Sequence, residues 1–130
     1  MSPLDTVKAF YVALGRGDVA AVIALLDTPL EWTEAEGFPY HAGTWRSPQA
    51  IVDGLFVPLA RDWDDFSARA ESFVSEGGEV VAFGTYGGTN RTTGRILDAR
   101  FAHLWRVADG RINRFVQYTD TALVQAATRV

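Results

Sequence analysis

The sequence predicts an α+β domain, in which helices from the first half of the chain cover one face of a curved antiparallel sheet built by the second half. Three observations predict it. Apolar residues recur at helical spacing as far as Leu59, and from Phe66 onward the period drops to two. Asp109-Gly110 stands between two alternating runs, where the pair suits a type I′ hairpin turn. A length of 130 residues fits one domain, so residues 1–130 are read as a single unit.

Ser2-Pro3-Leu4-Asp5 opens the first helix with a hydroxyl cap, a proline at the first helical position and an acid in the first turn. Leu4, Val7, Phe10, Tyr11 and Leu14 form its apolar face, and Gly15-Arg16-Gly17 ends it. Asp18 caps a second helix carrying Val19, Val22, Ile23, Leu25 and Leu26, which Asp27-Thr28-Pro29 breaks. Leu30 to Glu34 reads as a short strand and Ala35 to Thr44 as a loop rich in glycine, proline and aromatic residues. Ser47-Pro48 repeats the cap-plus-proline signal for a third helix through Ile51, Val52, Leu55, Phe56 and Leu59, which Pro58 should kink or shorten. Strands are expected at 67–75, 79–88, 96–107 and 111–119, and residues 121–128 as a short helix or a frayed tail. Helices laid across the mouth of such a sheet make a cone with an interior, and function belongs there.

Composition removes several classes of function. Hydrophobic residues make up 48% and charged residues 22%, so a packed core forms without a staple. There are no cysteines, which excludes thiol chemistry, disulfides and cysteine-held metals, and two histidines leave little for a metal site. A net charge of −4 offers no basic stripe for nucleic acid. No apolar run reaches membrane-spanning length and no secretory signal is visible, so the expectation is a cytoplasmic protein without membrane or nucleic-acid partners.

Alternation places Ala99, Phe101, His103, Trp105 and Val107 on one strand face, with Arg100 and Arg106 on the other. His103 is then either a histidine satisfied within the core or a group suited to proton transfer. Gln117 shares a face with Phe115 and Thr119. Trp32, Trp45, Trp63, Trp105, Phe38, Tyr40, Phe56, Phe73, Phe83 and Tyr118 supply core, dimer contact or the walls of an apolar cavity. Asp62, Asp64 and Asp65 read as a solvated turn, and His41 as a solvent-facing loop residue. Val80, Ala82 and Tyr86 alternate with Val81, Phe83 and Thr85, so both sheet faces carry apolar residues and one of them calls for a partner copy.

Four stretches stand out along this order of elements: Phe10-Tyr11-Val12-Ala13-Leu14 with Gly17-Asp18, and Ile23-Ala24-Leu25-Leu26. Tyr40 with Ala42-Gly43-Thr44-Trp45-Arg46 before Ser47-Pro48, and Phe101-Ala102-His103-Leu104-Trp105 with Asp109-Gly110-Arg111-Ile112, complete the set. On these residues the chain resembles the ketosteroid-isomerase-like or nuclear-transport-factor-2-like superfamily, a cystatin-like roll, and most of all its SnoaL-like branch. The isomerases' helix-1 tyrosine falls on Phe10, which cannot donate a hydrogen bond, and Tyr11, a step of ~100° further round the helix, should point elsewhere. Their general base falls on Glu34, whose position among Glu31 and Glu36 also reads as an acidic rim. Their second oxyanion acid falls on His103. The histidine of SnoaL-type polyketide cyclases also falls on His103, but their acid–base aspartate falls on Gln117, an amide. Asp98 and Arg100 supply the ingredients of a limonene-epoxide-hydrolase site in the reverse order.

The resemblance implies a homodimer that binds a small hydrophobic, carbonyl-containing molecule. It would perform cofactor-free proton transfer, isomerisation or hydration, with Glu34 as base, His103 as proton donor or electrophile, and Gln117 as orienting group. Phe10, Trp32, Tyr40, Phe56, Phe101, Trp105 and Gln117 are the expected ligand-binding residues, with no metal. The alternative is a carrier or sensor that uses the same cone without chemistry.

Overall fold

A computed structural model describes residues 1–129. Helix α1 (Pro3–Gly15) starts on a reciprocal cap: Ser2 Oγ accepts from the Asp5 amide, and the Asp5 carboxylate accepts from the Ser2 amide, both at 3.1 Å. Helix α2 (Val19–Leu25) is capped by Asp18. The chain then passes directly into β1 (Leu26–Thr33), four residues earlier than alternation alone suggests. Asp27 to Leu30 form an irregular stretch in the pairing of β1 with β6, and Pro29 is tolerated there because no regular ladder needs its missing N–H. A two-residue β2 (Thr44–Trp45) returns beside β1, matching Trp45 to Trp32.

The third helical segment runs further than the sequence suggests, in three parts: α3 (Pro48–Ile51), a π-helical turn (Val52–Phe56) and α4 (Val57–Asp62). Pro58 lacks an N–H, and in an α-helix its ring collides with the carbonyl of Gly54. Widening the preceding turn, so that the Val57 amide bonds the Val52 carbonyl five residues back, absorbs that conflict and lets the helix continue.

Four long strands follow: β3 (Trp63–Glu76), β4 (Glu79–Asn90), β5 (Ile96–Ala108) and β6 (Arg111–Thr119). The β5–β6 turn has Asp109 at φ 53° and Gly110 at φ 75°, the two positive values a type I′ turn requires. β3 begins earlier than expected, so Asp64 and Asp65 lie on a strand rather than in a turn. Asp65 takes φ 54° where the β3–β4 register shifts. Residues 121–128 are helical (α5), capped by Asp120 and anchored by fully buried Val124.

The sheet order is β2-β1-β6-β5-β4-β3. It is mixed and not purely antiparallel as expected, because β1 runs parallel to β6. Alternation reports which face of a strand is buried but not the direction of its neighbour, so this pairing was invisible to the sequence. Helix α1 packs against β3, β4, β5 and β6 on the sheet's inner face. There Ala99, Phe101, His103, Trp105 and Val107 of β5 alternate inward as predicted, and Leu97 extends the row.

Gly84 faces Phe101 across the β4–β5 ladder, and a methyl group built on it would sit 2.1 Å from the Arg69 carbonyl and 2.6 Å from the Phe101 ring. Both neighbours are fixed, one by backbone and one by stacking. Gly84→Ala should therefore destabilise by roughly 1–3 kcal/mol, read as a lower thermal midpoint. An unchanged midpoint would contradict the packing described.

Candidate functional site

The inner face of the sheet and helix α1 enclose a narrow cavity of about 40 Å3. Phe10, Trp32, Phe56 and Trp105 line it, with Glu34, His103 and Gln117 as its polar groups. Tyr11, Phe38, Phe66, Tyr86 and Phe115 complete most of the wall. Two expected ligand contacts do not reach it. The Phe101 ring lies behind His103, stacked on it with centroids 3.9 Å apart and planes within 9°. Tyr40 turns away, because its hydroxyl donates to Asp62 Oδ2 at 2.8 Å and accepts from the Trp63 indole at 3.0 Å. Burial, and secondly the Asp62 acceptor, push the Tyr40 phenol up to about 12.

Glu34 follows the last residue of β1 and continues its alternation, so it points inward with Trp32 while Glu31 and Glu36 stay exposed. It is 3% exposed and belongs to the cavity, not to an acidic rim. Its Oε1 lies 3.5 Å from the Trp32 indole nitrogen, the long limit of a hydrogen bond, and its Oε2 has no partner among the described residues. Loss of water raises the carboxyl to about 8, with the Trp32 N–H opposing only in part. Most molecules therefore carry Glu34 as the neutral acid at pH 7. Next to it, His41 is exposed, and its Nδ1 lies 2.9 Å from the Glu34 backbone carbonyl.

The remaining polar groups form one chain. The Trp105 indole donates to Tyr11 Oη at 3.1 Å, and that oxygen lies 2.5 Å from His103 Nδ1. His103 Nε2 lies 2.5 Å from Tyr86 Oη, which also accepts from Gln117 Nε2 at 2.8 Å. Gln117 Oε1 accepts the Ala35 amide at 2.9 Å, an assignment that fixes the orientation of the side-chain amide. Burial holds His103 well below its ordinary range, so the ring is neutral. Burial, and secondly the charge of Glu34, push Tyr86 far up, while burial alone drives the rise of Tyr11.

Tyr11 and Tyr86 are functional candidates that the sequence reading passed over. Tyr86 was signalled by its alternation with Val80 and Ala82. Tyr11 points inward, against the expectation from its angular offset from Phe10. The buried arc of α1 is broad enough to include Thr6, Val7, Phe10 and Ala13, and the long tyrosine side chain bridges what its Cα direction leaves open. Among the described residues no group of three His, Asp or Glu side chains converges, so no metal ligand set is assembled.

The description "SnoaL-like domain" covers residues 7–115 of the chain. An NTF2-like protein from Burkholderia thailandensis is 39% identical, with a TM-score of 0.96 over 100% of this chain and 99% of that one. An NTF2-like protein of unknown function from Burkholderia pseudomallei is 26% identical, with a TM-score of 0.88 over 99% and 100%. IdmH from Streptomyces antibioticus, a candidate polyketide cyclase, shares the fold at 24% identity, with a TM-score of 0.83 over 100% of both chains. Among curated proteins none matches.

The Glu34 carboxyl generates a prediction through proton linkage. The native state keeps it protonated to about pH 8, whereas the unfolded chain ionises it near 4.5. Its contribution to stability is complete below the unfolded value and is lost as pH rises toward about 8, at up to roughly 1.4 kcal/mol per pH unit. Glu34→Gln removes this loss. Denaturant titrations should show the variant gaining on the wild type between pH 5 and 8, and parallel curves would contradict a buried neutral acid.

Proposed function

The chain belongs to the SnoaL-like domain family of NTF2-like proteins, and from that premise we propose that it binds a small hydrophobic carbonyl compound and catalyses cofactor-free proton transfer next to the carbonyl. The observation that carries this reading is the bare Oε2 of Glu34. A buried polar atom without a partner costs about 1–3 kcal/mol, and a carboxyl in apolar surroundings is a base matched to near-neutral pH. Glu34 takes the α-proton, and the C–H electron pair moves into a new C=C bond as charge develops on the carbonyl oxygen. His103, through the two phenols it holds, stands on the side of the cavity that answers that charge. Gln117 orients Tyr86 and ties it to the backbone just after Glu34. The candidate cyclase among the fold relatives is consistent with carbonyl chemistry.

The cavity as it stands is smaller than a ring-sized molecule, so binding requires the wall to yield. Leu55 and Phe56 stand on the π-helical turn, whose hydrogen bonding already departs from the α pattern.

The outer sheet face serves as the surface for a second copy in this proposal. The register aligns Val74, Val81, Leu104 and Val116 in one row, with Phe83, Ala102 and Tyr118 in the next. Val74 is 61% exposed, Phe83 43% and Tyr118 57%. Sedimentation velocity at micromolar concentration should report twice the 14.3 kDa chain mass, and a stable monomer would dismiss the dimer.

The catalytic claim is tested with acetophenone in D2O, following deuterium uptake at its methyl group by mass spectrometry. Exchange should rise with pH up to about 8 as Glu34 ionises, then level off. Glu34→Gln should lower it by ~10²–10⁴-fold. Binding of the probe without exchange in the wild type would favour the carrier reading over the enzyme.

A further inference from the structure

The cavity presents a buried carboxyl that the rest of the chain leaves without a counter-ion. Glu34 is 3% exposed, and its Oε2 has no hydrogen-bond partner among the described residues. Among the described residues that line the cavity none is Lys or Arg, and none of the ion pairs of the fold involves Glu34. The titratable groups that share the lining are Tyr11 of α1, Tyr86 of β4 and His103 of β5, beside the neutral amide of Gln117 from β6. None of them brings a positive charge, since burial holds His103 neutral. A carboxylate formed here therefore takes its cation from outside the chain.

The rings around the carboxyl form a box. Trp32, whose indole nitrogen lies 3.5 Å from Glu34 Oε1, stands at 88° to Phe56 and at 81° to Trp105. Tyr11 stands at 90° to Phe10 and at 86° to Trp105. All of these rings line the cavity. Parallel walls make a slot for a flat ring, whereas walls at right angles enclose a compact group on several sides. Aromatic rings attract a cation through their quadrupole, most strongly where water is excluded, and aromatic cages are a common device for recognising alkylated ammonium groups. The volume also suits a compact guest. A water-sized atom needs about 10–15 Å3 of such space. The cavity of about 40 Å3 then admits about three heavy atoms without any movement of the wall.

We infer that the cavity is also a site for a small alkylammonium ion, held by a charge-assisted hydrogen bond from its N–H to Glu34 Oε2 and by the rings of Phe10, Trp32, Phe56 and Trp105. This ligand class lies beyond the carbonyl reading of the cavity, and a bound amine occupies the base and keeps a carbonyl compound from it. The ammonium group supplies the donor that Oε2 lacks and the counter-ion that the carboxylate lacks. A neutral alcohol of the same size supplies only the donor. At pH 7 Glu34 is mostly the neutral acid, so the arriving cation displaces its proton to solvent. An alkylammonium, like a lysine side chain, stays protonated over this range. Affinity therefore rises with pH up to the midpoint of the free carboxyl, about 8, and levels off above it.

The probe is ethylammonium chloride, with sodium chloride and ethanol at equal concentration as controls. Three heavy atoms limit the affinity to about the millimolar range, so about 50 mM probe is used. The Glu34 carboxyl is followed by 13C NMR. Ethylammonium should lower its titration midpoint from about 8 by about one unit or more, and sodium chloride should not. Equal midpoints in the two salts would overturn the proposal. So would a midpoint near 4.5 in the free protein, because no dry carboxyl then awaits a cation. Binding itself is read at the Trp32 indole N–H. Ethanol that binds as tightly as ethylammonium at pH 8 would reduce the site to an apolar hollow and overturn the proposal as well. Glu34→Gln keeps the shape and loses the charge, so binding should weaken by at least ~10-fold and lose its pH dependence; unchanged binding would contradict the ion pair. Phe56→Leu keeps the wall apolar and should weaken binding by ~3–30-fold with the pH dependence intact; undiminished affinity would contradict the part given to the rings. Deuterium exchange into acetophenone decides the carbonyl reading separately, since none of these readouts depends on turnover.

Discussion

Burying hydrogen-bonding groups among aromatic rings is tolerated only when each finds a partner, and that constraint organises this domain. Trp105 and His103 come from β5, Tyr86 from β4, Gln117 from β6 and Tyr11 from α1, with the backbone just after Glu34 joined through Ala35. One continuous chain therefore ties the first helix to the three central strands and to the segment that carries the carboxyl. Dispersion between stacked rings supports it, with Phe101 against His103 and Trp32 against Phe115, each pair at 3.9 Å between centroids. Glu34 is the exception. Its second oxygen has nothing to bond, and the free energy this costs is retained where an incoming molecule gains from it.

The scaffold around the site follows from this need for enclosure. Helix α1 lies deep enough in the sheet's inner face that residues on more than one side of it are buried, which is why both Phe10 and Tyr11 meet the cavity. The loop after Glu34 is held from three directions: His41 contacts the Glu34 carbonyl, Tyr40 reaches Asp62, and Gln125 of α5 donates to the Gly37 carbonyl at 2.7 Å. These contacts seat Phe38, 4% exposed, against Tyr86. Phe38 and Glu34 line the same cavity, and the burial of the carboxyl away from water is what raises its proton affinity.

Much of this was legible in the sequence because local chemistry writes it there. The Ser2, Asp18 and Ser47 caps, the Asp109-Gly110 turn and the alternation of β5 each depend on a few adjacent residues. Alternation also turned His103 and Gln117 inward, and the resemblance placed Glu34 where the structure buries it. Non-local facts were hidden. The parallel pairing of β1 with β6 joins segments some eighty residues apart, and nothing in either strand states its neighbour's direction. Tyr11 was misjudged because helix periodicity gives the direction of a Cα–Cβ bond and not the reach of a phenol. Tyr40 and Phe101 look like cavity residues by type, yet Asp62 binds the Tyr40 hydroxyl, and the Phe101 ring stacks on His103 over the space that Gly84 leaves open. The π-helical turn needed the collision at Pro58 to be worked through in three dimensions.

The chemistry of the cavity turns on a carboxyl that is neutral at physiological pH because it is dry. The most direct measurement is a titration of the Glu34 side-chain carboxyl carbon by 13C NMR in the folded protein, assigned with Glu34→Gln. The chemical shift should move with a midpoint near pH 8. A midpoint near 4.5, the ordinary value for a glutamate, would mean a hydrated carboxylate and would contradict both the enclosed cavity and the base proposed within it.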